Sequence, residues 1–362
     1  MAETASAVRV GIIGANGYSG IELLRTLSLH PHVHITYVAG SRDADGGLLA
    51  EQPFLRTLTA PAHTHDGASL AALKVQQFDP DVCAAACDVA FVGLPSGSAG
   101  QVAAALYERG LRVIDLSGDL RLPAEAYRTW YGRDPVPDAV LGAAVYGLTE
   151  WRRASIATAQ LLSNPGCYAT ATLLALLPAV RAGLNRPGAP IVVDAKSGVS
   201  GAGRKAVQSN LLGELAENFY PYKVGRHQHT PEIEQMLDPD GGVRISLTTQ
   251  LLPVARGILS ACHVMLERPV TVEEVYQFYQ DCYAAEPFVH VLPPGQVPQL
   301  KHVRGSNHCD IAIAVDERTG LLQVFSVIDN LQKGAAGQAV QNFNVMHGFA
   351  ETEGLWAQPM YP

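Results

Sequence analysis

The sequence lacks the features of a membrane-spanning or secreted protein. It contains no run of about 18 apolar residues, so no transmembrane helix is expected. Residues 1–4 have neither the charged start nor the apolar core of a secretory signal. With only 6 cysteines in 362 residues, the chain is also too poor in cysteine to be a disulfide scaffold. We therefore expect a cytoplasmic protein with no membrane partner.

Positive charge is scarce as well. The chain has 26 Lys and Arg against 34 Asp and Glu, and this formal net charge of −8, without a long basic run, argues against nucleic-acid binding. Apolar residues make up 48% of the chain and charged residues only 17%, which excludes disorder as its main state. The small charged fraction also hints at a subunit interface, and we expect a homo-oligomer, either a dimer or a tetramer.

Two of the cysteines, Cys83 and Cys87, lie four residues apart in a stretch with a helical pattern. Such a pair can ligate a metal, but a zinc site needs further ligands, and the sequence has no second pair of this kind. We therefore interpret both cysteines as core residues and expect no bound metal.

The length of 362 residues favours two domains. In the first part of the chain, short apolar runs of strand type alternate with segments of helical spacing. This alternation predicts an α/β domain with a Rossmann-type, doubly wound parallel sheet. The predicted strands are 8–13, 34–39, 89–94 and 111–116, and the predicted helices between them are 21–29 and 101–109.

The second part of the chain has a different pattern. A loop-like stretch over 123–142 weakens the alternation, so we expect a domain boundary between it and Asn164. Several strand-like runs then follow with only turns between them, which predicts an α+β domain with a mixed or antiparallel sheet. These runs are 191–195, 243–250, 257–266, 310–315 and 322–328, and a helix is predicted over 272–284.

A glycine-rich turn follows the first predicted strand and opens the first helix. Its spacing is Gly14-x-x-Gly17-x-x-Gly20, and the residues between are Ala15, Asn16, Tyr18 and Ser19. Glycines in this position let the backbone turn tightly and approach a pyrophosphate, which the amides at the helix start then bind. The turn therefore predicts a dinucleotide site, although a purely structural turn is the alternative.

The residues after the second strand favour NADP over NAD. An NAD site usually has an acidic residue there for the ribose hydroxyls, whereas this chain has Ser41 and Arg42. A hydroxyl and a guanidinium suit a 2′-phosphate. Asp43 leaves a second interpretation open, because it could bind the ribose or pair with Arg42 on the surface.

Cys167 is the candidate nucleophile. Pro165 and Gly166 precede an apolar helical run, so we expect Cys167 in the first helical turn. An ordinary thiol has a pKa of about 8.5, but the amides and dipole at a helix N-terminus stabilise the thiolate. The alternative is a small buried residue that packs under the helix.

Two histidines are the candidate proton carriers. His227 and His229 precede a predicted helix that Thr230 would cap, with Pro231 in its first position. In an extended segment, residues two apart point to the same side, so one imidazole could reach the thiol while the other meets the substrate. A metal pair is the alternative, but no further ligands are evident.

These residues belong to motifs that resemble those of the N-acetyl-γ-glutamyl-phosphate reductases, a family related to the aspartate-semialdehyde dehydrogenases. The resemblance runs from the glycine loop to the last helix. The motifs are GIIGANGYSG (11–20), DLSGDLRL (115–122), YGL (146–148), SNPGCYAT (163–170), DAKSGVSGAGR (194–204), HQHTPEIEQ (227–235), GSNHCDI (305–311) and IDNLQKGAAGQAVQN (328–342).

The resemblance implies an NADPH-dependent reduction of N-acetyl-γ-glutamyl phosphate to N-acetylglutamate 5-semialdehyde and phosphate, in arginine biosynthesis. Cys167 would attack the acyl carbon and expel phosphate, and hydride from NADPH would reduce the resulting thioester. His227 or His229 would move the protons, and we favour His227. By analogy with the family, a cofactor domain over 1–163 is completed by residues 335–362. A domain over 164–334 carries catalysis, substrate binding and oligomerisation.

The resemblance also implies further binding residues. Those expected to contact the cofactor, besides the glycine loop, Ser41 and Arg42, are Leu94, Pro95, Ser96, Gly198 and Asn330. Those expected to contact the anionic substrate are Ser117, Arg121, Asn164, Ser197 and Arg204. Guanidinium forks suit carboxylate and phosphate, although a structural ion pair is the alternative for each arginine. The family usually has histidine where this chain has Ser96, which puts a special role for that side chain in doubt.

Three rival functions remain open at the level of sequence. The chain could reduce a related acyl phosphate, such as aspartyl phosphate or a carrier-linked aminoadipyl phosphate, since only the pocket for the distal group would differ. It could bind NADP without catalysis. It could also be a cysteine hydrolase that needs no nicotinamide, but the glycine loop argues against that function.

Overall fold

The protein is described from a computed structural model, in which residues 7–40, 47–59 and 72–361 are described. The chain divides into two compact units. Unit 1 consists of Met1–Pro165 and Ala335–Trp356, and unit 2 consists of Gly166–Gly334 and Ala357–Pro362. Among the described residues, no helix combines the length and apolar character that a bilayer crossing requires.

Unit 1 is built on a six-stranded sheet in the order β2-β1-β3-β4-β6-β5, and every pairing is parallel. The inner strands β1 and β3 consist largely of fully buried Val, Ile and Phe, as expected for strands covered on both faces. The strands are β1 (Val8–Ile13), β2 (Val33–Ala39), β3 (Val89–Val92), β4 (Arg112–Asp115), β5 (Ala144–Tyr146) and β6 (Leu161–Ser163).

Helices connect these strands and confirm the predicted doubly wound α/β fold. They are α1 (Tyr18–Leu27), α2 (Leu48–Glu51), α3 (Pro80–Ala86), α4 (Ala99–Glu108), α5 (Ala124–Tyr131), α6 (Asp138–Ala143) and α7 (Thr149–Ala157). A 3₁₀ turn spans Pro53–Thr59, and the last helix of the unit is Gly337–His347. This last helix is held to α7 by buried side chains: Gln338 Nε2 donates to Thr149 Oγ1, and Thr149 Oγ1 donates to Asn342 Oδ1, both at 2.7 Å.

The sheet order places a topological switch point beside β1. From β1 the chain goes first to β2 on one side and later to β3 on the other. In open α/β sheets, ligands bind at the carboxyl ends of the strands where the order reverses. The glycine loop follows β1, and the segment Gly93 to Gly97 follows β3. The sheet therefore brings these two loops to one edge.

Unit 2 is built on a seven-stranded mixed sheet in the order β11-β12-β13-β10-β7-β9-β8. The β7–β9 and β11–β12 pairs are parallel and the other pairs antiparallel, which confirms the predicted mixed sheet. The strands are β7 (Ile191–Gly198), β8 (Tyr220–Tyr222), β9 (Ile245–Leu252), β10 (Ile258–Met265), β11 (Val289–Val291), β12 (Cys309–Asp316) and β13 (Leu321–Ile328). The helices are α8 (Cys167–Arg181), α9 (Leu212–Leu215), α10 (His229–Leu237) and α11 (Val272–Tyr283), with a π-helical turn at Gln332–Ala336 and 3₁₀ turns at Val199–Ala202, Gln208–Asn210 and Leu300–His302.

Helix α8 is buried in unit 2 and held firmly. Pro178 lies inside it and has no N–H, so the carbonyl of Leu174 loses its usual helical donor. The hydroxyl of Tyr283 replaces that donor and lies 2.6 Å from the Leu174 oxygen. On the sheet side, Ser326 Oγ donates to the Ala171 carbonyl at 2.7 Å. These contacts fix the helix whose first residue is Cys167.

The end of the chain differs from the sequence-based boundary, which assigned all of 335–362 to the first domain. Residues from Ala357 onward group with unit 2. The Met360 amide donates to the Arg304 carbonyl at 2.7 Å, and the Lys301 ammonium lies 5.0 Å from the ring centroid of Tyr361. Because this tail has neither helix nor strand, no periodicity could assign it to a unit.

Candidate active site

The glycine loop of unit 1 is shaped by close backbone contacts. Gly14 has a φ of +91°, and a Cβ there would lie 2.5 Å from the Gly93 oxygen. A Cβ on Gly20 would overlap the Gly14 oxygen. The Gly17 amide donates to the Gly14 oxygen at 3.0 Å, and Gly17 directly precedes α1 as its extended N-cap residue. Only glycine fits at positions 14 and 20, so the turn brings backbone to the start of a helix as a phosphate cradle requires.

The start of α1 fits the pyrophosphate of a dinucleotide. No side chain caps this helix among the described residues. The amides of Tyr18, Ser19 and Gly20 form its first turn, where backbone N–H groups have no intrahelical partner and the dipole favours an anion. Asn16 lies beside the loop, with its side-chain amide 3.2 Å from where a Cβ on Gly40 would be. A dinucleotide therefore fits the cradle that these residues form.

The predicted readers of the 2′-phosphate, Ser41 and Arg42, lie outside the described residues. The structure describes the chain up to Gly40, whose amide donates to the Gln76 carbonyl at 3.0 Å. The roles of these two side chains in selecting NADP over NAD stay predictions.

The loop after β3 is held by hydrogen bonds to the segment DLSGDLRL (115–122). The carboxylate of Asp119 accepts hydrogen bonds from the amides of Gly97 and Gly100, both at 2.8 Å. Ser96 Oγ accepts from the Gly118 amide at 3.1 Å. These bonds hold the loop that contains Leu94, Pro95 and Ser96. Ser96, which stands where the family usually has histidine, thus supports the loop, and the cofactor contacts expected of these three residues stay predictions.

Three residues predicted to bind substrate make hydrogen bonds within unit 1. Ser117 Oγ donates to Asp115 at 2.8 Å. Arg121 donates to the carbonyls of Asn164 and Leu116, both at 2.9 Å. Asn164 Nδ2 donates to the Ala335 carbonyl at 3.1 Å. These contacts give Ser117, Arg121 and Asn164 a structural role, and their role in substrate binding stays a prediction.

Asp115, which accepts the hydrogen bond from Ser117, is a fully buried acid. Burial raises its pKa to about 6, and the nearby charge of Asp119 adds to this rise. The two hydrogen bonds from Ser117 act in the opposite direction.

In unit 2, the structure places Cys167 at the first position of α8, after the extended residue Gly166 and with no side-chain cap. Its side chain is half-buried, and none of the six cysteines is in a disulfide. A Cβ on Gly334 would lie 2.8 Å from the Cys167 Cβ, so glycine at 334 leaves room for the thiol. By contrast, burial raises the pKa of Cys282, the other half-buried cysteine. Of the two half-buried cysteines, Cys167 is therefore the one placed at a helix start, where backbone amides favour a thiolate.

The two histidines lie side by side, although not in the way predicted. Helix α10 begins at His229 after a helical Gln228, so the segment is not extended and Thr230 is not the cap. The expectation of an extended segment capped by Thr230 was wrong, because the helix starts earlier than its Thr-Pro signal suggests. The two imidazole centroids are nevertheless 4.8 Å apart. Tyr168 and Tyr222 pack edge-on against His227, with centroids at 5.3 and 5.7 Å.

His227 is fixed as a neutral imidazole. The His229 amide donates to His227 Nδ1 at 3.2 Å, so the neutral ring carries its proton on Nε2. Burial, assisted by the charges of His229 and Lys223, lowers the pKa of His227 to about 2. His227 can therefore donate a hydrogen bond through Nε2, but it has no open nitrogen to take a proton.

His229 is connected to the cysteine turn by a buried carboxylate. His229 Nε2 lies 3.9 Å from Glu232 Oε2. Glu232 is fully buried, and its Oε1 accepts a hydrogen bond from the Gly166 amide at 2.8 Å. Because Gly166 directly precedes Cys167, the same carboxylate is hydrogen-bonded to the turn before Cys167 and lies near the His229 imidazole.

The remaining predicted residues lie at the end of β7 and around the loop that follows it: Ser197 and Gly198 end β7, Arg204 lies in the loop, and Asn330 follows β13. Asn330 is buried and bridges this loop: its Nδ2 donates to Ser200 Oγ at 2.9 Å, and its Oδ1 accepts from the Gly257 amide at 2.8 Å. Ser197 Oγ donates to the Gly198 carbonyl at 3.0 Å. Arg204 is exposed. These contacts shape the loop, and the binding roles of Ser197, Gly198, Asn330 and Arg204 stay predictions.

Comparison with known proteins decides the family. Two family models match the chain: a semialdehyde dehydrogenase NAD binding domain over residues 9–159 and a semialdehyde dehydrogenase dimerisation domain over residues 167–330. N-acetyl-γ-glutamyl-phosphate reductases of Geobacillus thermodenitrificans and Brevibacillus brevis are 49% and 46% identical, over 98% of this chain and 100% of theirs. The chain belongs to the N-acetyl-γ-glutamyl-phosphate reductase family.

Solved structures share the fold of this reductase family member. Aspartate semialdehyde dehydrogenase II of Vibrio cholerae, complexed with ASA, aligns with a TM-score of 0.70 at 19% identity, covering 95% of this chain and 99% of that one. Aspartate semialdehyde dehydrogenase with NADP from Candida albicans aligns with a TM-score of 0.70 at 20% identity, covering 94% and 99%.

Two residues near the histidines of this reductase family member, Glu232 and Lys223, were not predicted from the sequence. Glu232 lies three residues after His229, a spacing that places both on one helix face and could have indicated the pair. Lys223 adopts a left-handed conformation with a φ of +48°, and its ammonium donates to Gln228 Oε1 at 2.7 Å. Its charge also acts on His227, but no local pattern around it predicted this placement.

Proposed function

We propose that this protein catalyses the NADPH-dependent reduction of N-acetyl-γ-glutamyl phosphate to N-acetylglutamate 5-semialdehyde and phosphate, in arginine biosynthesis. The observation that carries the proposal is the connection of Cys167, at the uncapped start of α8, to His229 through Gly166 and Glu232. A thiol at a helix start, connected through its own turn to a carboxylate near an imidazole, suits covalent acyl transfer.

The first step belongs to Cys167. Its sulfur forms a bond with the acyl carbon while the bond from that carbon to the phosphate oxygen breaks. The phosphate leaves with the electron pair, and the acyl group remains on sulfur as a thioester. The first-turn amides of α8 stabilise negative charge at this position.

His229 moves the proton in this step. It takes the thiol proton as the sulfur–carbon bond forms and gives it to the departing phosphate. The carboxylate of Glu232 stabilises the imidazolium that exists in between, as the orienting acid does in a catalytic triad. This assignment replaces our preference for His227, whose Nδ1 is occupied and whose ring stays neutral. His227 donates a hydrogen bond to a substrate oxygen through Nε2.

The residues of unit 1 hold the cofactor. When bound, NADPH supplies the hydride that reduces the acyl group. The first turn of α1 binds the pyrophosphate through Tyr18, Ser19 and Gly20, and Ser41 and Arg42 bind the 2′-phosphate. Leu94, Pro95 and Ser96 would add further contacts to the cofactor.

The substrate carries a carboxylate and a phosphate, so cations must bind it. Lys223 joins Arg121 and Arg204 in this role, because its ammonium is held beside His227 by an energetically costly left-handed backbone. Ser117, Asn164 and Ser197 supply hydroxyl and amide donors.

Assembly and location complete the proposal. We infer that the protein is a homo-oligomer of the cytoplasm that associates through unit 2. Unit 2 matches a model described as a dimerisation domain, and it exposes large apolar side chains, with Leu212 83% and Phe219 61% exposed.

The experiment that tests the function is mass spectrometry of the protein mixed with acyl phosphate in the absence of NADPH. We expect the mass of the N-acetylglutamyl group on the peptide that contains Cys167, and no such adduct in Cys167→Ser. Aspartyl phosphate and a carrier-linked aminoadipyl phosphate serve as competing substrates. An adduct from either of these but not from N-acetyl-γ-glutamyl phosphate would assign the protein to a related reductase. The absence of any adduct would contradict covalent catalysis.

A further inference from the structure

The two cysteines that sequence analysis assigned to the core form a close pair in unit 1. Cys83 lies inside α3, and Cys87 follows its last turn with an extended backbone at φ −125° and ψ 156°. Their exposed fractions are 0% and 4%. Helical geometry puts residues four apart at about 6 Å between Cα atoms, within the range that a disulfide spans. Because Cys87 has left the helical conformation, its side chain has more freedom to turn toward Cys83.

Both sulfurs pack against Gly11 in β1, which has no side chain. A Cβ on Gly11 would lie 2.9 Å from Cys87 Sγ and 3.3 Å from Cys83 Sγ, so both sulfurs occupy the space next to the Gly11 Cα. The two thiols are also close enough to share a hydrogen bond. An alanine at position 11 would push at least one sulfur away.

The surroundings of the two sulfurs differ. The hydrogen bond from Cys83, Thr36 Oγ1 at 3.4 Å and the nearby Arg9 guanidinium lower the pKa of Cys87. The same pairing, together with burial, raises the pKa of Cys83. A thiol with a lowered pKa next to a second thiol is the combination that thiol–disulfide exchange uses.

We propose that Cys83 and Cys87 are a redox-active dithiol that a low-molecular-mass disulfide oxidises to an intrachain disulfide. The Cys87 sulfur attacks one sulfur of the oxidant and displaces the other as a thiolate. Cys83 then attacks the Cys87 sulfur of this mixed disulfide, displaces the second thiolate and gives its proton to it. Two protein thiols are oxidised, and one molecule of the oxidant is reduced to two thiols.

The reagent reaches the pair by local opening of α3. This helix has only 7 residues, and the side chain of Asp79, which caps it, accepts from the Asp81 and Val82 amides at 2.9 and 3.0 Å. Val82, on its outer side, is 49% exposed. Short surface helices open more readily than the core strands beneath them.

The test uses Cys167→Ser as background, so that it is independent of the proposed function. The protein is incubated with glutathione disulfide, its remaining thiols are alkylated, and the peptides are analysed by mass spectrometry. We expect the peptide with Cys83 and Cys87 to lose two hydrogens and escape alkylation, while the buried Cys262 and Cys309 are alkylated only after unfolding.

Single substitutions distinguish the roles of the two sulfurs. Cys83→Ser should leave a stable glutathione adduct on Cys87, whereas Cys87→Ser should slow reaction at Cys83 roughly tenfold or more. Gly11→Ala, checked for folding by circular dichroism, should slow disulfide formation in the otherwise intact pair. If both cysteines of the folded protein stay reduced, or become oxidised only under conditions that unfold it, the proposal is wrong.

Discussion

The polar residues of unit 1 and those of unit 2 come from motifs of the same kind, yet the fold uses them differently. In unit 1, Ser117, Arg121 and Asn164 direct hydrogen bonds to the protein's own backbone and to Asp115. In unit 2, Cys167 begins a helix without a cap, and His229 faces a carboxylate at 3.9 Å. The first set stabilises loops, whereas the second set includes a thiol at an uncapped helix start and an imidazole near a carboxylate, groups suited to nucleophilic attack and proton transfer. A polar motif thus indicates where a site lies, and the hydrogen-bond partners of each side chain indicate which residues support the fold.

The sharpest test of this comparison is Cys167→Ser. We expect kcat to fall roughly a thousandfold or more, because serine at this position forms no comparable nucleophile. NADPH affinity, measured by fluorescence titration, should stay near that of the wild type, since the glycine loop and helix start that form the pyrophosphate cradle lie in unit 1 and do not include Cys167. Appreciable remaining turnover would show that the reaction does not pass through this sulfur.

The second test separates the two histidines. His229→Asn should lower kcat by about 10²-fold, the usual range for loss of a general acid or base. It should also change the pH dependence of kcat/KM. His227→Asn keeps an acceptor for the His229 amide and should leave the pH dependence of kcat/KM above pH 4 unchanged, because burial lowers the wild-type pKa of His227 to about 2. The opposite pattern would return the proton carrier to His227.

The third test concerns the cofactor. Arg42→Ala should weaken NADPH binding about tenfold or more and leave NADH binding nearly unchanged, since only NADPH carries the 2′-phosphate. Dissociation constants for both nucleotides are the measurement. Equal losses for both would mean that Arg42 does not read the phosphate.

The smallest effect is expected from a supporting residue of unit 1. The folded-state pKa of Asp115 is raised to about 6, so the folded chain holds this proton more tightly than the unfolded chain. The resulting stability is present at acid pH and is lost as pH rises through about 6. Asp115→Asn should therefore gain about 2 kcal/mol in unfolding free energy relative to the wild type between pH 4 and pH 7.

Denaturant unfolding at several pH values measures this difference. The exposed Asp81, whose pKa is lowered by its pairing with Arg109, is the matched control. Asp81→Asn should show no gain as pH rises. A flat difference for Asp115→Asn would mean that this carboxyl is already ionised in the fold at acid pH.

Much of the fold could be predicted from local pattern. The run 257–266 corresponds to β10 (Ile258–Met265), and the expectation of Cys167 in a first helical turn matches the start of α8. Strand and helix periods are local properties, and so is the Pro-Gly signal before a helix.

The rest depends on contacts between distant parts of the chain. Glu232 reaches the Gly166 amide across 66 positions, and Arg121 reaches the Asn164 carbonyl across 43. Nothing in either motif alone indicates that Glu232 contacts the turn before Cys167 or that Arg121 supports a loop. The start of α10 at His229 was also missed, because the Thr-Pro signal for a later start was stronger than any signal at Gln228.

The most direct test of the central claim is the rate at which Cys167 is alkylated by iodoacetamide, compared with Cys282 in the same protein. Both side chains are half-buried, but only Cys167 begins a helix, and burial raises the pKa of Cys282. We predict that at pH 7 Cys167 reacts roughly a hundredfold faster. We also predict that Glu232→Gln, which removes the charge beside His229, reduces the difference between the alkylation rates of Cys167 and Cys282. Equal rates for the two cysteines at pH 7 would contradict the account.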